Sequence, residues 1–191
     1  MKAEFDTAGI PFPSGGKRVE QLERTVTTLR RLFDDPAYQP RPAQPSGPPL
    51  LIAGWGDRLL RVAATHADII AFPGGWANAT GDALHLAGAA QMEERIAYVR
   101  DLLGDRADSV ELNLLVQQVI PPSDGASVPD RFAPQPPDAE DRPEEAPSVL
   151  VGSPADMAQQ IKERRERYGF TYFTVMEYTM ENFAPVIATL R

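Results

Sequence analysis

Apolar and polar residues follow two different periods along the chain, and these periods predict helices that alternate with strands. Apolar residues three or four positions apart predict helices over residues 17–33, 57–66, 82–103, 154–168 and 182–191. Short runs that are mostly apolar or β-branched predict strands over residues 50–53, 68–72, 110–120 and 171–176. The run at 50–53 is apolar throughout and the run at 68–72 is apolar after Asp68, which predicts strands buried on both faces. This alternation favours right-handed crossovers and one parallel sheet.

The predicted helix after Ser153 has explicit start and stop signals. Ser153 is a favourable N-cap, Pro154 fits the first helical turn, and Asp156 can accept a hydrogen bond from the cap amide. Gly169 is placed to end the helix in a left-handed conformation. In the last predicted helix, Pro185 is tolerated only if it lies in the first turn.

Two proline-rich segments interrupt the pattern. Residues 36–49 contain six prolines, which forbid regular structure before the first strand. Residues 121–147 are dense in Pro, Asp and Glu and poor in large apolar residues, which predicts an exposed loop. A chain of 191 residues is long enough for one domain with its own core. We therefore predict a single domain over residues 1–191 with an acidic loop at 121–147.

The composition restricts the chemistry that the chain can perform. A net charge of −8 argues against nucleic acid and acidic membranes as partners. The chain has no cysteine and only two histidines, His66 and His85, so a thiolate or imidazole metal site is not expected. The N-terminus lacks the apolar core of a secretory signal, and no run is long enough to span a membrane. We expect a cytoplasmic protein.

A glycine-rich turn lies where the first strand passes into a helix. Residues 54–58 read Gly-Trp-Gly-Asp-Arg. In βα folds, ligands bind at the carboxyl ends of the strands, where the free amides of the following helix favour a phosphate. Glycine lets an anion approach the backbone and permits a positive φ, and Arg58 can add a charge-assisted bond.

The turn does not match two named phosphate-binding motifs. A Walker A loop needs Gly-Lys-Ser or Gly-Lys-Thr, which is missing, and a dinucleotide fingerprint needs a third glycine where the chain has Leu59. That fingerprint also needs an acidic residue at the end of the next strand, which here reads Phe-Pro-Gly-Gly. The spacing alone leaves two interpretations open, a phosphate site and a tight turn whose tryptophan packs over the sheet edge.

Three stretches in the same order resemble the luciferase-like monooxygenase family, and most closely its deazaflavin (coenzyme F-420)-dependent oxidoreductase branch. The central stretch, residues 48–72, reads PPLLIAGWGDRLLRVAATHADIIAF. The second, residues 9–33, reads GIPFPSGGKRVEQLERTVTTLRRLF and resembles a loop and helix of the family. The third covers residues 148–190 and resembles the last strand and helices of the family's barrel. The resemblance spans most of the chain except the segment 121–147.

The resemblance implies a TIM-type (β/α)8 barrel and a cofactor-binding role for the turn. It implies that backbone amides of Gly54, Trp55, Gly56 and Asp57 hold the phosphate of coenzyme F-420, or alternatively FMN, with support from Arg58. The family usually has more glycine at the position of Trp55. A tryptophan there either narrows the phosphate site or stacks on the cofactor.

The chain has about four of the eight main strands of such a barrel. A complete barrel takes about 250 residues, and the resemblance places Met1 halfway through it. We therefore expect an α/β fold that corresponds to the C-terminal half of a (β/α)8 barrel. Four parallel strands alone leave open edges. The chain is then either a fragment or a truncated gene product, or it forms a homodimer or binds a partner chain that supplies the missing half.

Two functions follow from these observations. The first is a luciferase-like oxidoreductase that uses a reduced deazaflavin or FMN on a small organic substrate. The second is a non-catalytic half-barrel, either a remnant or a subunit that completes another chain. No catalytic constellation is evident in the sequence. This absence neither excludes nor supports an enzyme of this kind, because the cofactor ring would carry the chemistry. Other polar residues are interpreted as structural or surface groups, or as possible pocket residues, namely His66, His85, Asn113, Gln117, Glu177 and Tyr178.

Overall fold

The computed structural model describes residues 2–44, 46–77, 84–122, 132 and 142–191. The helices are α1 (Lys2–Thr7), α2 (Gly15–Asp34), α3 (Asp57–His66), α4 (Ala89–Leu103), α5 (Pro154–Tyr168) and α6 (Met180–Leu190). The strands are β1 (Leu51–Ala53), β2 (Ile69–Phe72), β3 (Gly75–Ala77), β4 (Leu84–Leu86), β5 (Glu111–Val116), β6 (Gln118–Ile120), β7 (Val149–Val151) and β8 (Tyr172–Val175). None of these helices is long and apolar enough to cross a membrane.

The four strands expected from the sequence form one parallel sheet, which confirms the predicted fold class. The strand order is β1-β2-β5-β8. Ile52 of β1 is in register with Ile70 of β2, which is in turn in register with Leu112 of β5. Strands β1 and β8 are the outer strands of this sheet. The sheet thus has half the strand number of a closed (β/α)8 barrel.

One face of the sheet packs against the helices and forms the main core. The sheet contributes Ile52, Ile70, Phe72, Leu112 and Leu114 to one cluster of buried residues. The predicted apolar stripe of α4 is confirmed, because Met92, Ile96, Val99 and Leu103 all belong to this cluster. The stripe of helix α2 buries Val26 and packs Leu22 against the same cluster.

The opposite face of the sheet is largely uncovered, so the prediction that β1 is buried on both faces is wrong. Leu51 is 44% exposed and Tyr172 is 41% exposed, although both are large and apolar or aromatic. This face contributes no residue to the apolar clusters within the described part of the chain. An apolar run is typical of a strand covered on both faces, but β1 is an outer strand of the described sheet.

The predicted third strand is divided in two, and β7 was not predicted. The break lies at Gln117, whose amide donates to the carbonyl of Ser148 at 2.7 Å. Beyond it, β6 pairs in parallel with β7, and Val119 and Leu150 pack with α5 and α6. A three-residue strand such as β7 gives too short an apolar run to be recognised next to a proline-rich segment.

The prediction of a helix over residues 82–103 is wrong at its start. Residues 84–86 form β4, which pairs antiparallel with β3, with His85 opposite Trp76. Helix α4 begins only at Ala89, after Gly88 as N-cap. The apolar stripe begins at Met92, so the residues before it carried no helical period.

The cap signals of α5 are confirmed. The amide of Asp156 donates to Ser153 Oγ at 3.3 Å, and the amide of Ser153 donates to Asp156 Oδ2 at 3.0 Å. Gly169 ends the helix with φ = 83°. In contrast, Pro185 does not lie in the first turn of α6, because a 3₁₀ turn over Glu177–Thr179 leads directly into a helix that begins at Met180.

Most of the predicted loop at 121–147 lies outside the described residues. Its described end contains a 3₁₀ turn over Pro143–Glu145. Arg164 of α5 holds the following segment, because its guanidinium donates to the carbonyls of Pro147 at 2.6 Å and Val149 at 2.8 Å. Burial lowers the pKa of Arg164 to about 10.

Candidate functional site

The glycine turn lies at the carboxyl end of β1 and opens helix α3. The amide of Gly54 donates to the carbonyl of Ala71 at 3.0 Å, which extends the β1–β2 pairing by one residue. Gly56 is the N-cap of α3, and its carbonyl accepts the first helical hydrogen bond from Leu60 at 3.0 Å. The strand-to-helix transition therefore takes only three residues, 54 to 56.

The first turn of α3 presents backbone amides with no capping side chain. Gly56 has no side chain that could accept a hydrogen bond from the amides of Asp57, Arg58 and Leu59. Such amides carry partial positive charge and favour an anion. The amide of Gly54 is not available in this way, because it already donates to Ala71.

The two glycines of the turn have different roles, and neither needs a positive φ. Gly56 has φ = −74° and ψ = 147°, which any residue can adopt, and Gly54 is not among the glycines with positive φ. The positive φ that glycine permits is therefore used at neither position. A β-carbon on Gly54 would lie 2.6 Å from Cγ of Leu59, so this glycine allows α3 to pack closely on β1. A β-carbon on Gly56 would meet no atom within 4 Å.

An open cleft of about 860 Å³, here called the turn cleft, lies in front of Gly56. It is bordered by α2, the glycine turn, the β3–β4 hairpin and α4, and it is lined by Arg18, Trp55, Gly56, Leu59, Pro73, Gly75, Trp76, Ala77, Leu84, Gln91, Glu94 and Arg95. A second cleft of about 510 Å³, here called the α2 cleft, lies between α2 and the start of α3. Arg18, Gly56 and Leu59 line both clefts.

Three aromatic rings form one continuous stack beside the turn cleft. The rings of Trp55 and Trp76 are 6.0 Å apart at 29°, and those of Trp76 and His85 are 5.5 Å apart at 26°. The stack joins the glycine turn to the β3–β4 hairpin. His85 is therefore half-buried on a strand rather than on the surface of a helix, and its Nδ1 is buried with no partner among the described residues.

The charged residues of the turn are paired with side chains of the same chain. Arg58 contacts Glu20 of α2 at 2.9 Å, so its side chain extends toward α2. Asp57 contacts Arg95 of α4 at 2.5 Å, and Arg95 is also paired with Glu94. The hydrogen bond from Arg95 lowers the pKa of Asp57, and the hydrogen bond with Glu94 raises the pKa of Arg95.

Arg18 lines both clefts, and sequence reasoning did not single it out. Its guanidinium donates to the carbonyl of Pro13 at 2.5 Å and lies over the ring of Phe12, 4.2 Å from the centroid. No carboxylate of the described residues forms an ion pair with it. Lys17 and Arg18 are adjacent basic residues of one predicted helix, and the sequence did not show which of them lies beside the glycine turn.

The other polar residues considered from the sequence lie outside the turn cleft. Asn113 is buried in the sheet and donates to Thr174 Oγ1 at 2.9 Å, and Gln117 donates to the carbonyl of Pro73 at 2.8 Å. Tyr178 donates to the carbonyl of Gln117 at 2.9 Å. In the last turn of α3, Nε2 of His66 is 3.8 Å from Oε1 of Glu23, a residue of α2. No group of three or more metal-binding side chains occurs in the described part of the chain.

Comparisons with known proteins bear on the fold. No protein-family model matches the chain, and no curated protein sequence matches it. Among solved structures, it resembles a coenzyme F-420-dependent secondary alcohol dehydrogenase in complex with an F-420–acetone adduct. That match has a TM-score of 0.63 and 14% identity, and it covers 95% of this chain and 64% of the other.

Two further structures have similar scores. The EDTA monooxygenase EmoA from Chelativorans sp. BNC1 has a TM-score of 0.60 and 12% identity, over 97% of this chain and 62% of the other. Apo-MsnO8 has a TM-score of 0.58 and 18% identity, over 100% of this chain and 63% of the other. The chain thus spans less than two thirds of the length of each of these proteins. The resemblance seen in the sequence is confirmed at the level of the fold, because the chain has the α/β fold of part of each of these proteins.

Proposed function

We propose that the chain is an oxidoreductase of the luciferase-like kind, which binds a reduced deazaflavin (coenzyme F-420) or FMN and acts on a small organic substrate in the cytoplasm. One observation carries this proposal. In a fold that resembles luciferase-like proteins, an uncapped helix N-terminus opens at the carboxyl end of a parallel strand onto a cleft of about 860 Å³. Clefts at this end of the strands are where βα folds bind ligands.

The residues of the turn fit the phosphate of either cofactor. Space beside Gly56 is open, so an anion can reach the backbone without displacing a side chain. In this proposal the amides of Trp55, Gly56, Asp57 and Arg58 hold the phosphate, and Gly54 keeps the turn close to Leu59. When bound, the cofactor ring would supply hydride or oxygen chemistry, while this chain contributes binding and orientation.

In this proposal Trp55 forms one side of the turn cleft. It packs against the core, and Trp76 stacks on its ring. The contact with Trp76 favours the first of the two roles expected for Trp55, which is to narrow the phosphate site. The stack also fixes the distance between the glycine turn and the hairpin, and this distance sets the width of the cleft.

A second candidate function is that of a half-barrel subunit. The outer edges of β1 and β8 pair with no strand in the described part of the chain, and the face that carries Leu51 and Tyr172 is open. Two copies related by a two-fold axis along the strands would supply eight parallel strands, the number of a closed barrel. We therefore propose a homodimer, or a partner chain that supplies the missing strands, as the form that binds cofactor.

Equilibrium titration tests the proposed function. Purified protein is titrated with coenzyme F-420 and with FMN, and cofactor fluorescence is recorded. We expect saturable binding of at least one of them, with one site per chain or per closed barrel. Absence of saturable binding of both would contradict the oxidoreductase and leave the non-catalytic half-barrel. Lumichrome, which has a flavin-type ring but no phosphate, serves as the control for nonspecific ring binding.

A further inference from the structure

We infer that Arg18, rather than Arg58, is the charged side chain that binds the phosphate of the ligand at the glycine turn. This inference rests on the proposed function and adds a residue to it. Arg58 was the residue expected from the sequence, because it directly follows the turn. The arrangement of charges around the turn favours the arginine from α2 instead.

The first argument is the availability of positive charge. Three arginines line the two clefts at the turn, namely Arg18, Arg58 and Arg95. Arg58 is paired with Glu20 at 2.9 Å, and Arg95 is paired with both Asp57 and Glu94. An anion that approached either of these two would compete with carboxylates already in place. Arg18 forms no ion pair with the described carboxylates, so no side chain of the described residues neutralises its charge.

The second argument is position. Arg18 lines both the turn cleft and the α2 cleft, and it shares this property with Gly56, the N-cap of α3. The side chain of Arg58 lies against α2, where its Nη1 is 2.8 Å from the place of a β-carbon on Gly16. It lines the α2 cleft but not the turn cleft. Arg18 therefore borders the same cleft as the N-terminus of α3, whereas Arg58 does not line this cleft.

The third argument is preorganisation. The hydrogen bond to Pro13 and the ring of Phe12 restrict the rotamers of Arg18 before any ligand binds. A side chain that is already ordered loses less entropy on binding, and so contributes more to affinity. Its other guanidinium nitrogens can still donate, and the planar fork matches a phosphate better than an ammonium does. The carboxylates of Asp57 and Glu94 are both engaged by Arg95, which reduces their repulsion of an anion.

The test uses a ligand pair that differs only in the phosphate. FMN and riboflavin are titrated into the wild type and into Arg18→Gln, Arg58→Gln and Lys17→Gln. For the wild type we expect tighter binding of FMN than of riboflavin. Arg18→Gln should lose at least about tenfold in FMN affinity, as expected for a charge-assisted contact, with riboflavin affinity kept. Arg58→Gln should lose less than Arg18→Gln.

Lys17→Gln is the matched control, because it removes one exposed positive charge from the adjacent position of α2. A loss of FMN affinity in Lys17→Gln equal to that in Arg18→Gln would show a general field effect and overturn the inference. Equal or larger loss in Arg58→Gln would overturn it as well. Arg18→Lys should keep part of the preference for FMN, because it keeps the charge but not the fork.

The outcomes separate this inference from the proposed function. A wild type that prefers FMN, together with an Arg18→Gln variant that keeps this preference, overturns the inference alone. A wild type that binds no cofactor, or that binds FMN and riboflavin equally, overturns phosphate binding at the turn and the inference with it. Affinities are compared per folded molecule, with melting temperatures recorded for every variant.

Discussion

Gly54 and Leu59 are packed so closely that a β-carbon on Gly54 would lie 2.6 Å from Leu59 Cγ. Gly56, two residues later, faces open space. The same turn therefore contains one glycine that the packing of α3 on β1 requires and one that it does not. This difference makes it possible to separate a structural role of the turn from a ligand-binding role by mutation.

We expect Gly54→Ala to destabilise the protein. The added methyl group would press on the Leu59 side chain, and overpacking of this kind costs about 1–3 kcal/mol in free energy of unfolding. Cofactor affinity per folded molecule should stay close to that of the wild type, because the Gly54 amide already donates to Ala71. Urea unfolding measures the first effect and fluorescence titration the second. A variant as stable as the wild type would show that Leu59 can move away without cost.

Gly56→Val should lower the cofactor affinity strongly and the free energy of unfolding only a little. Valine can adopt φ = −74° and ψ = 147°, so the fold is kept, although a poor N-cap costs about 1 kcal/mol. The isopropyl group would fill the space beside the helix amides, and we expect FMN or F-420 affinity to fall at least about tenfold, the loss of a charge-assisted contact. If affinity per folded molecule were unchanged, the turn would have only a structural role.

Binding in the turn cleft should quench intrinsic tryptophan fluorescence. The chain has two tryptophans, Trp55 and Trp76, and both line this cleft. A flavin-type ring bound there would accept energy from both, and the quenching should saturate with the same dissociation constant as the cofactor signal. Trp76→Phe keeps one tryptophan in the cleft and serves as the control. Saturable cofactor binding without quenching would place the ligand elsewhere on the protein.

Asp68 makes the stability of the chain depend on pH. It accepts hydrogen bonds from Arg30 of α2 at 2.5 Å and from the amide of Leu50 at 2.6 Å. Burial raises the pKa of Asp68, but the Leu50 amide and Arg30 outweigh this effect and hold the pKa below its ordinary value. A carboxylate with a lowered folded-state pKa stabilises the fold above about pH 4, and this stability is lost as the pH falls through the folded-state pKa.

Comparison of the wild type with Asp68→Asn over a pH series checks this prediction. At pH 7 the variant should unfold at lower urea concentration than the wild type. The difference should shrink as the pH falls from about 5 to 3, because the wild-type carboxyl becomes neutral as well. If the difference in stability were independent of pH, the charge of Asp68 would contribute nothing, and the difference would come only from the hydrogen bonds that a carboxyl group makes and an amide does not.

The open edges predict that the 191-residue chain does not remain a monomer. Edge strands with unpaired backbone groups beside exposed apolar residues recruit other chains. Light scattering after size exclusion should therefore give at least twice the monomer mass of 20.9 kDa. Tyr172→Lys adds a charge to the open face near one edge and should shift the equilibrium toward monomer. A compact wild-type monomer with cooperative unfolding would contradict the half-barrel dimer.

Signals that act over a few residues determined much of the fold. The Ser153–Asp156 cap, the Gly169 left-handed end and the stripe from Met92 to Leu103 were all predicted and are all present. Each depends on contacts within one or two helical turns, so the sequence contains the whole interaction. The alternation of helices and strands likewise predicted that the strands of the main sheet are parallel.

Only the tertiary structure decided which residues meet at the glycine turn. Arg95 and Asp57 are 38 positions apart, and Arg58 and Glu20 are also 38 apart, yet each pair is in contact. The sequence identified the turn because its glycines lie two positions apart. It could not show that Arg58 is paired with Glu20, that no described carboxylate pairs with Arg18, or that Trp76 stacks on Trp55. These contacts form where crossovers bring separate helices to one end of the sheet. Local periodicity contains no information about contacts between residues that lie far apart in the sequence.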